Sequence, residues 1–256
     1  MDWSLYEFHV SNPVSPIWNQ FANDTCLPDP ELPCSGKGYP IDVINATSPE
    51  HVQAGVRFAR KHSIRLNIKN TGHDYLGRST SPNSLSIWTH YMQNMEIHAD
   101  YFRPKARSVE VDGGAITVGP GAMFGELFSY LDRFNRTIVG GMSRTVGVAG
   151  YVTGGGHSPL SSRRSLGADN VLEVEMIAAD GEVITLNECQ NTDLFWAVRG
   201  VQANPHEPDW QWAFWGGNDG RLLEIKRATD PDDIFWCPLC VGNERWKEVN
   251  GRLCRS

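Results

Sequence analysis

Long apolar runs and a surplus of basic charge are both absent from this sequence. Of its 256 residues, 40% are hydrophobic, but they never form the uninterrupted stretch of about 20 apolar residues that a membrane-spanning helix requires. Lys and Arg number 23 against 30 Asp and Glu, which gives a formal net charge of −7. A chain without a basic surplus lacks the electrostatic signature of a nucleic-acid-binding surface. Neither a membrane nor a nucleic acid is therefore expected as a partner.

The sequence also lacks internal repeats and low-complexity tracts, and no leader peptide is recognisable at its start. Residues 1–5 have neither the basic region nor the apolar core of a signal peptide. The length and the hydrophobic content are sufficient for one compact unit with a sizeable core, although chains of this size also divide into two lobes.

The sequence has only six cysteines. An even number is compatible with disulfides. Cys26 and Cys34 are close enough in a proline-rich loop to close a small ring, and Cys237 and Cys240 are spaced to close a tighter one. Zinc binding is an alternative for Cys237 and Cys240, but no second Cys-x-x-Cys pair exists to complete four ligands. The N-glycosylation pattern occurs three times, at Asn23, Asn45 and Asn135.

Helix and strand patterns alternate along the chain. Ser48 as N-cap and Pro49 at the first helical position predict a helix that ends near residues 60–61. Its apolar side is Val52, Val56 and Ala59. Further strands and one further helix follow from apolar periodicity. The predicted strands are 65–69, 108–111, 115–118, 171–177 and 183–186, and the second helix has its apolar side at Phe124, Leu127, Leu131 and Phe134. This order indicates an α+β fold, or a mixed one, and not a regular βαβ succession.

Two glycine-punctuated turns, each ending in histidine, are the most informative feature of the sequence. The first is Gly72-His73, and the second runs from Gly154 to His157. Glycine lets backbone N–H groups approach an anionic ligand closely, so the two turns are expected to form two halves of one cofactor cradle. A dinucleotide-binding turn at 119–125 is the competing interpretation. Its glycine spacing is one residue too long and Pro120 occupies its middle, so a plain strand-to-helix turn is preferred there.

Together with three other motifs, these turns resemble the FAD-linked oxidases of the berberine bridge enzyme type. The resemblance covers residues 36–248, and the motifs occur in the family's order. The motifs are Asn70-Thr71-Gly72-His73-Asp74-Tyr75, the glycine-rich segment 140–157, Gly167-Ala168-Asp169-Asn170-Val171-Leu172, the segment 193–200, and a tail with Ile225-Lys226 and Asp230-Pro231. The resemblance implies a two-lobed FAD-binding domain of the vanillyl-alcohol oxidase (PCMH) type at 36–205. An N-terminal segment at 1–35 and a berberine-type tail at 206–256 would flank it.

The same resemblance assigns the cofactor contacts. It implies that His73 is bonded covalently to the flavin ring and that Lys69, where relatives often have arginine, favours the diphosphate. Many relatives form a second bond through a cysteine, but Ser143 stands there, and a hydroxyl cannot replace a thiolate as nucleophile. A single bond through His73 is therefore expected. The other expected FAD-binding residues are Asn70, Thr71, Gly72, Asp74, Gly77, Val146, Gly147, Gly150, Gly154, Gly155, Gly156, His157, Val174 and Asn218.

What the resemblance implies about function is limited by a missing segment. In the family a whole substrate domain follows the position of Gly200, whereas here residues 201–209 lead directly to the tail. Nine residues span at most about 30 Å and cannot hold a domain. The substrate domain is thus expected to be largely deleted, and no catalytic residue is assigned.

Two functions are compatible with this reading. The first is an FAD-linked oxidoreductase of fungal secondary metabolism, with a small-molecule substrate and O₂ as partners. The segment 70–75 and the tail at 235–237 resemble the type found in ergot alkaloid pathways. The alternative is a non-catalytic remnant that still binds FAD. The family also implies the secretory pathway, so a leader upstream of Met1 is expected.

Overall fold

The computed structural model describes residues 5–18, 24–27, 29, 31–200 and 207–256, which form short helices and five small sheets. The α-helices are α1 Tyr6–Ser11, α2 Pro49–His62, α3 Phe124–Asp132, α4 Val148–Thr153, α5 Ser161–Arg164, α6 Thr192–Ala197, α7 Trp210–Trp215 and α8 Asp219–Thr229. The strands are β1 Asp42–Asn45, β2 Leu66–Lys69, β3 Leu85–Trp88, β4 Met95–His98, β5 Tyr101–Phe102, β6 Val111–Asp112, β7 Ala115–Val118, β8 Glu173–Ile177, β9 Val183–Asn187, β10 Trp246–Val249 and β11 Arg252–Arg255. Single 3₁₀ turns occupy Ala168–Asn170, Gly216–Asn218 and Asn243–Arg245.

The described residues divide into two compact units. The first unit takes its residues from 1–90, 177–182 and 203–256, and the second from 91–176 and 183–202. The predicted boundaries at 35 and 205 do not follow this division. The described parts of the predicted N-terminal segment and tail both belong to the first unit, because their packing partners lie between residues 40 and 90.

A three-stranded parallel sheet of order β1-β3-β2 forms the centre of the first unit. Helix α2 packs on it through Val56 and Ala59, which are fully buried, as is Ile87 on β3. The approach is close at Gly55, where an added Cβ would lie 2.8 Å from Ile44 Cδ1 and 2.9 Å from Ile87 Cδ1. A larger residue at this position would therefore push the helix off the sheet.

The predicted boundaries of α2 are confirmed. Ser48 is the N-cap, Pro49 occupies the first helical position, and the last turn carries the basic residues 60–62. Proline fits the first turn because the N–H that it lacks has no partner within the helix. The helix ends at Ser63, whose left-handed backbone lets its N–H reach the carbonyl oxygens of the final turn.

Paired antiparallel strands and helix α3 build the second unit. Strand β4 pairs with β7, β5 with β6, and β8 with β9. The buried core consists of Phe124, Leu127 and Leu131 on one side of α3. The ring of Tyr151 packs edge-on against Phe124, with the ring centroids 4.6 Å apart. The strands predicted at 115–118 and 183–186 are confirmed, as are Phe124, Leu127 and Leu131 on the apolar side of α3.

Three local predictions are corrected by the structure. Residues 108–110 are not a strand, and pairing there is limited to β6. The strand predicted from residue 171 begins at Glu173, after the 3₁₀ turn. Phe134 lies beyond the end of α3 and is 45% exposed. Apolar spacing alone did not indicate where each element ends, because backbone turns interrupt the pattern at all three places.

The cysteine pairs predicted from spacing are joined as disulfides, Cys26 with Cys34 and Cys237 with Cys240. Cys189 and Cys254 are exposed thiols. Within the described ranges, no group of three or more potential ligands is arranged to hold a metal ion. No helix in the described part of the chain combines the length and apolar character needed to cross a bilayer. Asn23 lies outside the described residues.

The core around α3 gives a stability prediction. Phe124→Ala removes a ring that is 1% exposed and is expected to lower the free energy of unfolding by about 3–5 kcal/mol. Phe134→Ala deletes the same side chain from an exposed position and should cost less than about 1 kcal/mol. Urea denaturation followed by circular dichroism measures both. Equal losses for the two variants would contradict the assignment of Phe124 to the core.

Candidate functional site

The first glycine turn leaves the carboxyl end of β2 in the first unit. It places His73 against α1, and the His73 ring is in edge contact with Tyr6 at 5.3 Å between centroids. The backbone carbonyl of His73 accepts a hydrogen bond of 3.3 Å from Trp18 Nε1. Ile17 donates its N–H to the carbonyl of Gly72 at 3.1 Å. The segment before residue 19 therefore packs directly on the turn and holds it in position.

Lys69, which precedes this turn, is fully buried. Its Nζ donates a hydrogen bond of 3.1 Å to the carbonyl of His9 and lies 5.6 Å from the centre of the Trp88 ring. Burial lowers the pKa of Lys69 from its ordinary value to about 7 because it disfavours the charged form. Sequence reasoning expected this cation to face a diphosphate. The structure gives its amine a partner in the protein interior, and a diphosphate contact stays a prediction.

The environment of His73 keeps its imidazole neutral. Burial, and after it the charges of Lys69 and His9, lower the pKa of His73 to about 4. A neutral imidazole retains a lone pair on one ring nitrogen at physiological pH. This is the protonation state in which histidine acts as a nucleophile or ligand.

The rest of the first turn is fixed by its own hydrogen bonds. The Asp74 carboxylate accepts the backbone N–H groups of Leu76 at 3.2 Å and Arg78 at 2.7 Å, and it also pairs with the Arg78 guanidinium. Gly72 has φ of +91° and Gly77 has φ of +74°, a region that non-glycine residues rarely occupy. Asp74 thus braces the loop, a role that sequence reasoning did not assign to it.

The second glycine segment belongs to the second unit and is built around Tyr151. Gly147 precedes α4 and Gly154 follows it. Tyr151, on α4, donates its hydroxyl to the carbonyl of His157 at 2.8 Å. A Cβ on Gly156 would lie 2.5 Å from the Tyr151 ring. Glycine at 156 is therefore required both by its φ of +77° and by the ring beside it.

The remaining predicted contact residues are distributed along both units. Asn70, Thr71 and Gly72 stand with His73 in the first unit, and Asn218 is exposed in a 3₁₀ turn of the same unit. In the second unit Ser143 Oγ lies 3.5 Å from Thr145 Oγ1, and Gly150 is exposed on α4. The other predicted residues of that unit are Val146, Gly155 and Val174, the last on β8.

Sequence reasoning missed the contribution of α1. Tyr6 and His9 supply the edge contact to His73 and the hydrogen bond to Lys69. No motif marked these residues, and no helix was predicted at this place in the chain. The packing of Tyr151 against Phe124 and Gly156 was likewise not predicted.

Comparison with known proteins identifies the class to which this arrangement belongs. A family model described as an FAD binding domain matches residues 40–187, which is more than half of the chain. A second model, described as berberine and berberine like, matches residues 202–242.

Relatives with curated names are fungal. The chain is 42% identical over 195 residues to the VAO-type flavoprotein oxidase VAO615 of Thermothelomyces thermophilus. This match covers 75% of this chain and 33% of the relative. The chain is 41% identical over 263 residues to the FAD-linked oxidoreductase ZEB1 of Gibberella zeae, which covers 96% of this chain and 44% of the relative. The chain thus spans between about a third and half of the length of these relatives.

Solved structures agree with the sequence matches. The crystal structure of the VAO-type flavoprotein MtVAO615 from Myceliophthora thermophila superposes with a TM-score of 0.69 at 40% identity, covering 75% of this chain and 35% of that chain. The glucooligosaccharide oxidase of Acremonium strictum, described as carrying 6-S-cysteinyl, 8α-N1-histidyl FAD, superposes with a TM-score of 0.53 at 25% identity. The match to the glucooligosaccharide oxidase covers 63% of this chain and 32% of the oxidase.

The chain belongs to the FAD-dependent oxidoreductases that combine an FAD binding domain with a berberine-like segment, among which are the fungal VAO-type flavoprotein oxidases. The predicted family, the cofactor FAD and the mixed α and β fold of the PCMH type are confirmed. The chain matches only part of its solved neighbours.

The depressed pKa of His73 predicts a pH-dependent stability in the flavin-free protein. Unfolded His73 takes up a proton near pH 6.5, whereas folded His73 does so only near pH 4. The unfolded state binds more protons between these values, so the contribution is fully present above pH 6.5 and is lost as the pH falls to 4. Urea denaturation across pH 4–7 should show a shallower pH slope for His73→Gln. His51→Gln, an exposed site, should leave the slope unchanged, and a similar change in both variants would contradict the prediction.

Proposed function

We propose that this chain holds FAD through one covalent bond, between the flavin and the side chain of His73. The observation that carries the proposal is the turn 71–73, in which a neutral, partly buried histidine follows a positive-φ glycine. A neutral ring nitrogen is the group that a histidyl bond to the flavin requires. The A. strictum neighbour is described as having such a histidyl bond.

The chain's own residues fit the cofactor at this point. Lys69 is buried beneath the turn, and in its charged form it adds to the effect of burial in holding His73 unprotonated. The contacts of Asp74 and Trp18 fix the backbone on both sides of His73. The turn is therefore ordered before any cofactor binds, which lowers the entropic cost of binding.

We infer that the covalent attachment is single. The A. strictum neighbour is described with an additional cysteinyl bond, but Ser143 stands where the family resemblance implies that cysteine. A serine hydroxyl is largely unionised at neutral pH and does not supply a thiolate-like nucleophile. The glycine segment with Val146, Gly147 and His157, together with Val174 and Asn218, is proposed to contact FAD without covalent bonds.

The proposed reaction is oxidation of a small molecule with O₂ as the final acceptor. FAD, when bound, supplies acceptance of hydride from the substrate and transfer of electrons to O₂. The protein's part is to bind and orient the cofactor and to exclude water around it. Fungal secondary metabolism, including alkaloid oxidation, is proposed as the setting because the segments 70–75 and 235–237 resemble enzymes of that type.

Secretion and glycosylation form a related proposal. The Cys26–Cys34 disulfide favours an oxidising compartment. Asn45 and Asn135 both fit the glycosylation pattern and are exposed, so a glycan would meet no steric obstacle at either residue.

A second candidate function is a non-catalytic FAD-binding remnant. Only residues 188–201 separate the two family matches, and this interval is too short for a substrate domain. Positioning of a substrate by such a domain is worth roughly 7–11 kcal/mol of barrier in well-oriented reactions. A chain without it would retain flavin binding and lose turnover.

The covalent bond is tested with His73→Ala. We expect the purified chain to be yellow and to keep its flavin after acid precipitation, whereas the His73→Ala chain should release all flavin into the supernatant. His62→Ala is the matched control and should keep its flavin, because His62 is exposed in the last turn of α2 and is not among the proposed FAD contacts. Absorbance at the flavin band before and after precipitation measures the bound fraction. Flavin that stays with the His73→Ala pellet would disprove the proposed bond.

Stopped-flow measurement of flavin reduction distinguishes a catalytic oxidoreductase from a non-catalytic remnant. Dithionite needs only access to the flavin, so it should reduce the chain in either case. If the chain is a remnant, an alkaloid substrate of an intact relative should not reduce its flavin rapidly. Rapid reduction should then appear only after that relative's substrate domain is inserted following Gly200. Equal rates for the unmodified and the repaired chain would show that these 256 residues hold a complete substrate site and favour the oxidoreductase.

A further inference from the structure

A basic pocket lies within the first unit, away from the His73 turn in sequence and lined by different residues. Its volume is about 730 Å³. The end of α2, the residues that lead into β2, the segment 232–236 and the hairpin β10–β11 form its walls. The six cationic residues in the lining are Arg57, Arg60, Lys61, Arg65, Arg252 and Arg255, against two carboxylates, Asp232 and Asp233.

The carboxylates of the lining are already neutralised. Asp232 pairs with Arg60 at 3.1 Å, and Asp233 pairs with Arg245 at 3.2 Å. Asp233 also accepts a hydrogen bond of 2.7 Å from Trp246 Nε1. The carboxylates therefore leave an excess of positive charge in the pocket.

Several cations of the lining have no carboxylate within ion-pair distance in the described part of the chain. They are Lys61, Arg252 and Arg255. Arg57 and Arg65 are paired instead with Glu182 and Glu248, each at 2.8 Å. An excess of cations on a concave, partly desolvated surface raises the local concentration of anions.

Arg65 is the strongest indication of a ligand. Its side chain is only 9% exposed, and its buried Nε donates no hydrogen bond to any residue that the structure describes. The guanidinium lies over the ring of Trp236, 5.3 Å from its centroid. Buried donors are nearly always satisfied in folded proteins, so a donor at a pocket wall indicates a missing acceptor.

Aromatic and aliphatic side chains complete the pocket. The rings of Trp236 and Trp246 line it, and the guanidinium of Arg255 lies 5.3 Å from the centroid of the Trp246 ring. The indole N–H groups are used by the protein, since Trp236 donates to the carbonyl of Asn243 and Trp246 donates to Asp233. The indole faces and edges thus offer apolar contact, and the aliphatic part of the lining is Ile64, Leu66, Ile234 and Leu253.

From this combination we propose that the pocket binds a small aromatic carboxylate, with the carboxylate at Arg65, Lys61 and Arg252 and the ring against the two tryptophans. A planar guanidinium is suited to a carboxylate because it can donate two parallel hydrogen bonds. A free inorganic anion would use the cations but not the indoles. The site does not depend on FAD or on His73.

Isothermal titration calorimetry of the purified full-length chain with indole-3-acetate tests the proposal. We expect binding that weakens as salt is raised, because the contacts are ionic. Indole-3-acetamide, the same ring without the charge, should bind at least about tenfold more weakly, since hydrogen bonds to a charged group are roughly twice as strong as neutral ones. Inorganic phosphate should also bind more weakly than indole-3-acetate. Equal affinity for the amide, or for phosphate, would overturn the assignment of an aromatic anion.

Matched variants locate the site. Lys61→Gln and Arg252→Gln remove exposed cations of the lining and should each weaken indole-3-acetate binding about two- to fivefold, as expected for partly solvated ion pairs. Lys247→Gln makes the same charge change on β10 outside the lining and should have no effect. Arg65→Lys keeps the positive charge and loses the guanidinium, and it should weaken binding further.

His73→Ala separates this pocket from the flavin site and should bind indole-3-acetate as the parent chain does. Circular dichroism and urea denaturation check that each variant is folded. A loss with Lys247→Gln equal to that with Lys61→Gln, or a loss confined to His73→Ala, would place the ligand elsewhere and overturn the proposal.

Discussion

The burial of Lys69 beneath α1 is the interaction on which the His73 turn depends. An ammonium group in the protein interior is costly unless its donors are satisfied. Here its Nζ donates to the His9 carbonyl and lies over the ring of Trp88. These contacts tie the N-terminal helix to the end of β2 and place a cation close enough to His73 to disfavour its protonation. One buried residue thus couples the packing of the first unit to the chemistry available at its turn.

The second unit satisfies a different constraint, which is the close packing of a large ring among glycines. Tyr151 occupies the volume that side chains at 156 and 167 would need. Its hydroxyl is satisfied by the carbonyl of His157, so a polar group is accommodated beside the core of α3. Burial raises the pKa of Tyr151 above its ordinary value, which keeps it protonated as a donor. Gly156 and Gly167 are therefore required because a side chain at either position would clash with the Tyr151 ring.

The arrangement of charge in the first unit separates two environments. Around Lys69 and His73 the groups are buried and burial holds them toward their neutral forms. At the end of α2 and in the β10–β11 hairpin the cationic side chains line a pocket together with the indole rings of Trp236 and Trp246. The first unit thus holds both a neutral histidine turn and, lined by other residues, a pocket suited to anions. Burial, more than the number of charged residues, distinguishes them.

The sequence by itself determined the elements whose signals are local. Ser48 and Pro49 marked the start of α2, the apolar period identified α3, and the order of the glycine motifs identified the family and its cofactor. Tertiary structure decided what depends on residues far apart in the chain. Lys69 is fully buried, and its Nζ donates to the carbonyl of His9, sixty residues earlier in the chain. The described parts of the flanking segments belong to the first unit because they pack with residues 40–90, and the basic pocket arises only where residues 57–66 meet residues 232–255. A linear pattern reports local backbone preference and periodicity, whereas burial and charge pairing are set by which distant segments come into contact.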